Sequence, residues 1–142
     1  MAKPPTSTAR LSKREFESLA SFRYELRRFL RYSEEITRKS GITPLQYQLL
    51  LQVKGYPDRE HASVSELAER LQAKHHGVVS LITRCEQAGL VERRIDDDDL
   101  RVVNVHLTRK GQGCLERLAG LHRNELVKLK GRFFVPEFES SE

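Results

Sequence analysis

The sequence predicts a mainly α-helical fold with a small β-hairpin wing, and three features predict it. Two amphipathic stretches follow one another between Ser63 and Ala88, parted by a turn. Gly89 ends the second, and two short runs of β-forming residues come next, joined by an Asp/Arg-rich loop. Thr108 then opens a further apolar-periodic stretch. Short helix, turn, longer helix, hairpin and helix in that order make a winged helix-turn-helix, here with helical segments on both sides.

Residues 1–12 are expected to be a flexible N-terminus, since terminal segments without burial order poorly. From Glu15 to Arg38 the residues Leu19, Phe22, Leu26, Phe29, Ser33 and Ile36 recur at three and four, the spacing of one helix face. Arg23, Arg27, Arg28 and Arg31 fall largely off that seam. Such a helix is roughly 36 Å long, more than a small domain needs for its own core. It serves either as an internal core helix or as a surface shared with another subunit and with the last helix. Thr43-Pro44-Leu45-Gln46 starts the next helix: Thr43 caps, Pro44 suits the first helical position and Gln46 closes a capping box. Tyr47, Leu50, Leu51 and Val53 continue it to Gly55-Tyr56-Pro57-Asp58, and residues 55–62 read as a polar connection.

Ser63 with Glu66 has capping-box spacing, and Leu67, Ala68 and Leu71 give the short helix one apolar face. The longer helix spans His75 to Ala88, with Val78, Val79, Ile82 and Cys85 inward and His76, Ser80, Arg84 and Gln87 outward. Gly89 supplies the left-handed conformation a helix end often needs. Strands are expected at Leu90–Ile95 and Val102–Leu107, the second alternating Val103, Val105 and Leu107 against Val102, Asn104 and His106. Thr108 caps a last helix with Leu115, Leu118, Leu121, Leu126 and Leu129 as its apolar positions. Beyond it Phe133, Phe134, Val135 and Phe138 are expected to fold back onto the helices, and 139–142 to be flexible.

These residues carry a resemblance. Ser65-Glu66-Leu67-Ala68, Ala88-Gly89-Leu90-Val91, the loop Asp96 to Arg101, and Leu107-Thr108-Arg109-Lys110-Gly111 resemble, in order and spacing, the pattern of the MarR family of transcriptional regulators. The likeness runs over roughly residues 15–130. It implies one MarR-like domain over residues 13–138, with the winged helix-turn-helix at 62–108 and dimerisation helices at 13–38 and 108–130. It also implies a homodimer that reads a pseudo-palindromic double-stranded operator and acts as a repressor relieved by a small aromatic effector.

Composition fits one domain: 142 residues lie within the usual range of roughly 100–200. No apolar run reaches the roughly 18 residues of a membrane span, and MAKPPTSTAR lacks the apolar core of a signal peptide, so a cytoplasmic location is expected. The net charge of +5 is unevenly placed. Residues 1–60 carry 12 Lys/Arg against 7 Asp/Glu, residues 61–108 carry 6 against 8, and residues 109–142 carry 7 against 5. The presumed reading segment is therefore slightly acidic, whereas phosphate binding favours a basic footprint. The conflict softens if some of Asp96–Asp99 hold the turn or orient neighbouring arginines.

Base-reading residues belong in the N-terminal half of a recognition helix, which here holds Lys74, His75, His76, Gly77 and Ser80. Gly77 would permit close approach. Arg84, one turn on, either pairs with guanine or phosphate or bonds internally to Glu86 or a wing aspartate. Arg93 and Arg94 at the wing base are candidate phosphate contacts, with an ordinary surface-strand role as the alternative. By resemblance Arg101 is the wing arginine that enters the minor groove and Asp99 steadies it, while Leu100 departs from the family's usual arginine. Phe29, Tyr32, Tyr47 and Leu51 would line the effector cleft on the same ground, with plain core packing as the alternative.

No nucleophile stands beside a base, so no enzyme and no cofactor are expected. His75 and His76, as helix neighbours, diverge by about 100° and make no metal chelate. Cys85 reads as a small core hydrophobe; Cys114 leaves redox sensing open. The competing function is a winged-helix protein-interaction module with little DNA affinity, favoured by the acidic count.

Overall fold

The computed structural model describes residues 10–138. Its elements run α1 (Lys13–Lys39), α2 (Pro44–Lys54), β1 (His61–Ser63), α3 (Val64–Leu71), α4 (His75–Gln87), β2 (Val91–Ile95), β3 (Val103–Leu107) and α5 (Arg109–Leu129). The strands form one antiparallel sheet in the order β1-β3-β2. The fold is thus mainly helical with a wing, and the hairpin gains a third strand from the segment read as a polar connection. His61 pairs with His106 and Ser63 with Asn104, so β1 closes the open edge of β3.

Capping decides where the helices start. The Ser63/Glu66 and Thr43/Gln46 boxes form as their spacing predicts. A third box, Ser12 with Glu15, starts α1, which corrects the flexible reading at Ser12; residues 1–9 and 139–142 lie outside the described residues.

The core gathers Leu49, Leu50 and Val53 of α2, Leu67 of α3, Ile82 of α4, Val105 of β3 and Leu118 of α5, all fully buried. Three inward assignments change. Val79 is 36% exposed, and Leu81 packs on the core instead. At 100° per residue Leu81 lies about 60° from Val78 and Val79 about 100°, on the side of the exposed face. Leu121 turns outward on α5. Leu126 keeps the angle of the buried stripe yet is 51% exposed, because nothing covers that turn. On β3, Asn104 is buried beside Val105, so the alternation is less clean than its residue types suggest. In the tail, Phe133 stacks on Phe22 of α1 with ring centroids 5.1 Å apart, whereas Phe134, Val135 and Phe138 stay exposed. Among the described residues no helix is long and apolar enough to cross a membrane.

Glu66 fastens the loop before the sheet to α3. Its carboxylate accepts from Arg59 Nη1 at 3.0 Å and from the Ser63 N–H at 2.9 Å, and it also meets Arg59 Nη2. Partial burial pushes its pKa up, but hydrogen bonds from Tyr56, Ser63 and Arg59 outweigh that and bring it from 4.5 to about 2. A carboxyl depressed by folding stabilises fully above its unfolded pKa and loses that stabilisation as pH falls toward its folded one. Glu66→Gln is therefore expected to cost about 1–3 kcal/mol at pH 7. In paired thermal melts the deficit should shrink below pH 4.5 and close near pH 2. A deficit that stays constant over that range would rule out the ionised Glu66 as its source.

Cys85 is fully buried, and burial pushes its thiol up to about 11, as suits a core hydrophobe. Cys85 is expected to resist a thiol-titrating reagent at pH 8 until the chain is denatured. Rapid labelling of its peptide in the folded protein, read by mass spectrometry, would contradict this.

Candidate nucleic-acid interface

Helix α4 follows Lys74, an N-cap whose side chain makes no capping bond, which leaves the first N–H groups of a 13-residue helix without a side-chain cap. Such groups favour anions. Lys74, His75, His76, Gly77, Ser80 and Arg84 are all exposed; His76, Gly77, Ser80 and Arg84 share the face that Val78, Ile82 and Cys85 leave free, while Lys74 and His75 are exposed at the open N-terminal end of the helix. A side chain at Gly77 would meet nothing within 4 Å. Of the internal partners considered for Arg84, Glu86 is held by Arg93, and among the described residues no ion pair joins Arg84 to a wing aspartate.

Arg93 is the main departure from the sequence reading. Its Nη1 donates to Glu86 Oε1 at 2.8 Å, and its Nη2 to Thr83 Oγ1 at 2.7 Å and the Val79 carbonyl at 3.2 Å. Its backbone N–H also donates to Glu86 Oε2 at 3.1 Å. The side chain thus binds β2 to the flank of α4 rather than standing free for phosphate. The alternation of β2 carries the signal: Arg93 shares the inward face of Val91 and is paired with Val105. Arg94, one residue on, is exposed and ion-paired with Glu92.

The wing loop is built by its acids. Asp96 Oδ2 accepts from the N–H groups of Asp98 and Asp99 at 3.0 Å each, and Oδ1 accepts from Asn104 Nδ2 at 2.8 Å. The Asn104 bond, then the two backbone bonds, hold the Asp96 carboxyl below its usual range. Asp99 accepts from Arg101 Nε at 3.0 Å, Nη2 at 3.1 Å and the Arg101 N–H at 3.0 Å. The Arg101 side-chain bonds lead in lowering the Asp99 carboxyl. The Arg101 side chain remains 90% exposed, aimed outward on a fixed base. Leu100 is bare beside it.

Helix α5 grips the far end of α4. Gly89 has φ +75°, and its carbonyl accepts from Thr108 Oγ1 at 2.5 Å. Lys110 Nζ donates to the Ala88 carbonyl at 2.9 Å, while Thr108 Oγ1 caps α5 by accepting from the Gly111 N–H at 3.0 Å. Gly111 itself lies directly against the Leu90 carbonyl.

The residues read as an effector cleft surround a histidine that sequence reasoning missed. His122 of α5 is buried and stacked on Tyr47 at 4.3 Å, with Phe29 and Tyr32 edge-on at 6.0 and 6.2 Å. Its Nδ1 lies 2.8 Å from the Leu118 carbonyl and its Nε2 2.8 Å from Ser33 Oγ. A carbonyl only accepts, so Nδ1 carries a proton. Tyr47 and Leu51 line an open groove of 560 Å³ with His122, Arg123, Leu126 and Phe133; Phe29 and Tyr32 are not in its wall. The signal was available, since His122 follows Leu115 and Leu118 at seven and four on the buried stripe of α5.

Comparison with known proteins places this geometry. Residues 40–101 match the model described as the MarR family. The HTH-type transcriptional repressor MdtR of Bacillus subtilis is 37% identical over 89 residues, 61% of this chain and 54% of that protein. An uncharacterized HTH-type transcriptional regulator of Bacillus anthracis is 29% identical over 85 residues, 60% of this chain and 54% of its own. The chain thus aligns with about half the length of these curated relatives. Among solved structures, AbsC, a MarR family transcriptional regulator from Streptomyces coelicolor, superposes with a TM-score of 0.75 at 22% identity, covering 91% of this chain and 86% of that one. The YusO protein of Bacillus subtilis gives 0.64 at 25% identity over 88% and 87%. A MepR mutant of S. aureus bound to an oligodeoxyribonucleotide gives 0.65 at 21% identity over 82% of each chain.

Proposed function

The chain carries a MarR-family winged helix-turn-helix domain, and on that premise we propose that it is a homodimeric, sequence-specific DNA-binding transcriptional repressor. The observation that carries this is the pairing of two exposed surfaces on one braced unit. The N-terminal end of α4 offers Lys74 and His75, and its outer face His76, Gly77, Ser80 and Arg84, to a major groove, and the wing offers Arg101, backed by Asp99, to the adjacent minor groove. Arg94 would reach phosphate from the wing base by leaving Glu92.

Most of the acids of the reading segment are held in place by the fold, which leaves its net count unchanged but fixes where the negative charge lies. Glu66, Glu86, Glu92 and Asp99 are each paired to an arginine, and Asp96 is spent on the turn. Glu69, Asp97 and Asp98 remain exposed and keep the protein-interaction module as the second reading.

For dimerisation the supporting feature is apolar surface left bare where α1 and α5 end. Phe16 and Leu19 are exposed near the start of α1, and Leu126, Val127, Phe134 and Val135 at and beyond the end of α5, two segments that the Phe22–Phe133 stack brings together; apolar surface of this kind marks association sites. Glu25 Oε2 on α1 is buried within the chain with no hydrogen-bond partner among the described residues, facing the Arg28 guanidinium at 3.9 Å. In this reading residues 13–138 form one domain, dimerised through helices 13–38 and 108–130, and the protein is cytoplasmic. A small aromatic effector would enter the groove of Tyr47 and Leu51, with Phe29 and Tyr32 supporting it through His122. It acts only by binding one arrangement of the two reading heads better than another. No catalysis is assigned to the chain.

The test is an anisotropy titration of the purified protein against the intergenic DNA upstream of its own gene, with scrambled DNA as control and salt varied. Two subunits per site, a preference over the scrambled sequence and weakening with salt are expected. Equal, weak binding to both DNAs near physiological salt would overturn the proposal in favour of the interaction module.

A further inference from the structure

One register row crosses the sheet on the face turned away from the core. His61 of β1 stands opposite His106 of β3, which stands opposite Glu92 of β2. Their chain neighbours Ala62 and Val105 are fully buried on the other face, so strand alternation sends all three side chains outward. The two imidazoles lie against each other, with ring centroids 4.8 Å apart and planes 22° from parallel. His122 has both ring nitrogens engaged; among the described residues no hydrogen bond holds a ring nitrogen of His61 or His106. Both side chains are part-exposed, so the pair is open to solutes.

We propose that His61 and His106 chelate a divalent cation of the zinc, nickel or copper class, with Glu92 as the neighbouring carboxylate. Imidazole is the ligand these metals favour over the harder magnesium and calcium. Facing residues on antiparallel strands hold their Cβ atoms about 4.5–5.5 Å apart. Rotating both rings out of the stack about their Cβ–Cγ bonds would turn one nitrogen of each toward a shared ion at the roughly 2.0–2.1 Å of a zinc–imidazole bond. Glu92 is bonded to Arg94 and joins the shell only by leaving that partner. Among the described residues no group of three or more His, Cys, Asp or Glu side chains forms a ready cage. The site is accordingly a two-histidine chelate completed by water.

Its position gives it a consequence. β1 runs directly into Ser63, the cap of α3, so an ion shared by β1 and β3 ties the mounting of the helix-turn-helix to the wing.

The test uses the full chain stripped with a chelator, then titrated separately with Zn²⁺, Cu²⁺ and, as control, Mg²⁺. One Cu²⁺ per chain, with hyperfine coupling from two imidazole nitrogens in its electron paramagnetic resonance spectrum, is expected. Zn²⁺ should move the ring resonances of His61 and His106 and leave those of His75, His76 and His122. His61→Gln and His106→Gln should each weaken Zn²⁺ binding by at least the roughly 10–100-fold that loss of an outer-shell partner costs. Undiminished binding by the double variant would overturn the site, and so would ring shifts confined to His75 and His76. The resonances of the unsubstituted protein decide the matter even if a variant misfolds.

Discussion

Gly111→Ala is expected to destabilise the fold severely. A Cβ at this position would lie 1.9 Å from the Leu90 carbonyl oxygen, 2.9 Å from its carbon and 3.2 Å from the Leu90 Cα. These are backbone atoms of the link between α4 and β2, so no rotamer change relieves the overlap. Relief requires α5 to back away, which breaks the Thr108 bonds to Gly89 and Leu90. Overpacking a core typically costs about 1–3 kcal/mol and occasionally more. A clash with fixed backbone belongs at or beyond the top of that range, against a total stability of about 5–15 kcal/mol. Gly113→Ala is the control: its Cβ meets nothing within 4 Å, and mid-helix alanine should stabilise by roughly 0.5–1 kcal/mol. Urea unfolding of both variants reads the contrast. A Gly111→Ala midpoint equal to the parent's would show that the close approach does not matter.

Arg101→Ala is expected to give the larger loss among wing substitutions in DNA affinity, about 1–3 kcal/mol, or roughly 5–150-fold, with the salt dependence flattened by about one unit of slope. Asp99→Asn should cost less, because it leaves the cation present but removes the charge-assisted bonds that aim it. Arg93→Ala separates contact from bracing. Its guanidinium is spent on Glu86, Thr83 and Val79, so binding should weaken with the salt slope unchanged. All three are read by anisotropy at several salt concentrations. An Arg101→Ala protein that binds like the parent would take the wing out of the interface. A reduced slope for Arg93→Ala would restore that residue to the phosphate contacts.

What the sequence disclosed followed from how local each determinant is. The Thr43/Gln46 and Ser63/Glu66 boxes, the Gly89 stop and the Thr108 cap are settled within four residues, so spacing alone revealed them. β1 was hidden because three residues, His-Ala-Ser, have no period to detect, and their partner strand lies more than forty positions away. Val79 misled because apolar type was weighed above angle. His122 was lost among leucines because its partner Ser33 is 89 positions distant. On the outer face of α4 the exposed residues were legible from one helical wheel. The role of Arg93 was not, because it depends on which strand face meets α4.

The Arg93 clamp, together with the grip of Lys110 and Thr108 on the end of α4, has a mechanical consequence. Helix and wing share no hinge, so a head of this kind cannot trim its own angle to suit its target. One base pair inserted between two half-sites turns the far one by about 34–36°, and a jointless head has no means to follow. A pair of such heads would measure the phase between half-sites as strictly as it reads their letters. Any adjustment to a differently phased site would have to come from the struts that join the heads.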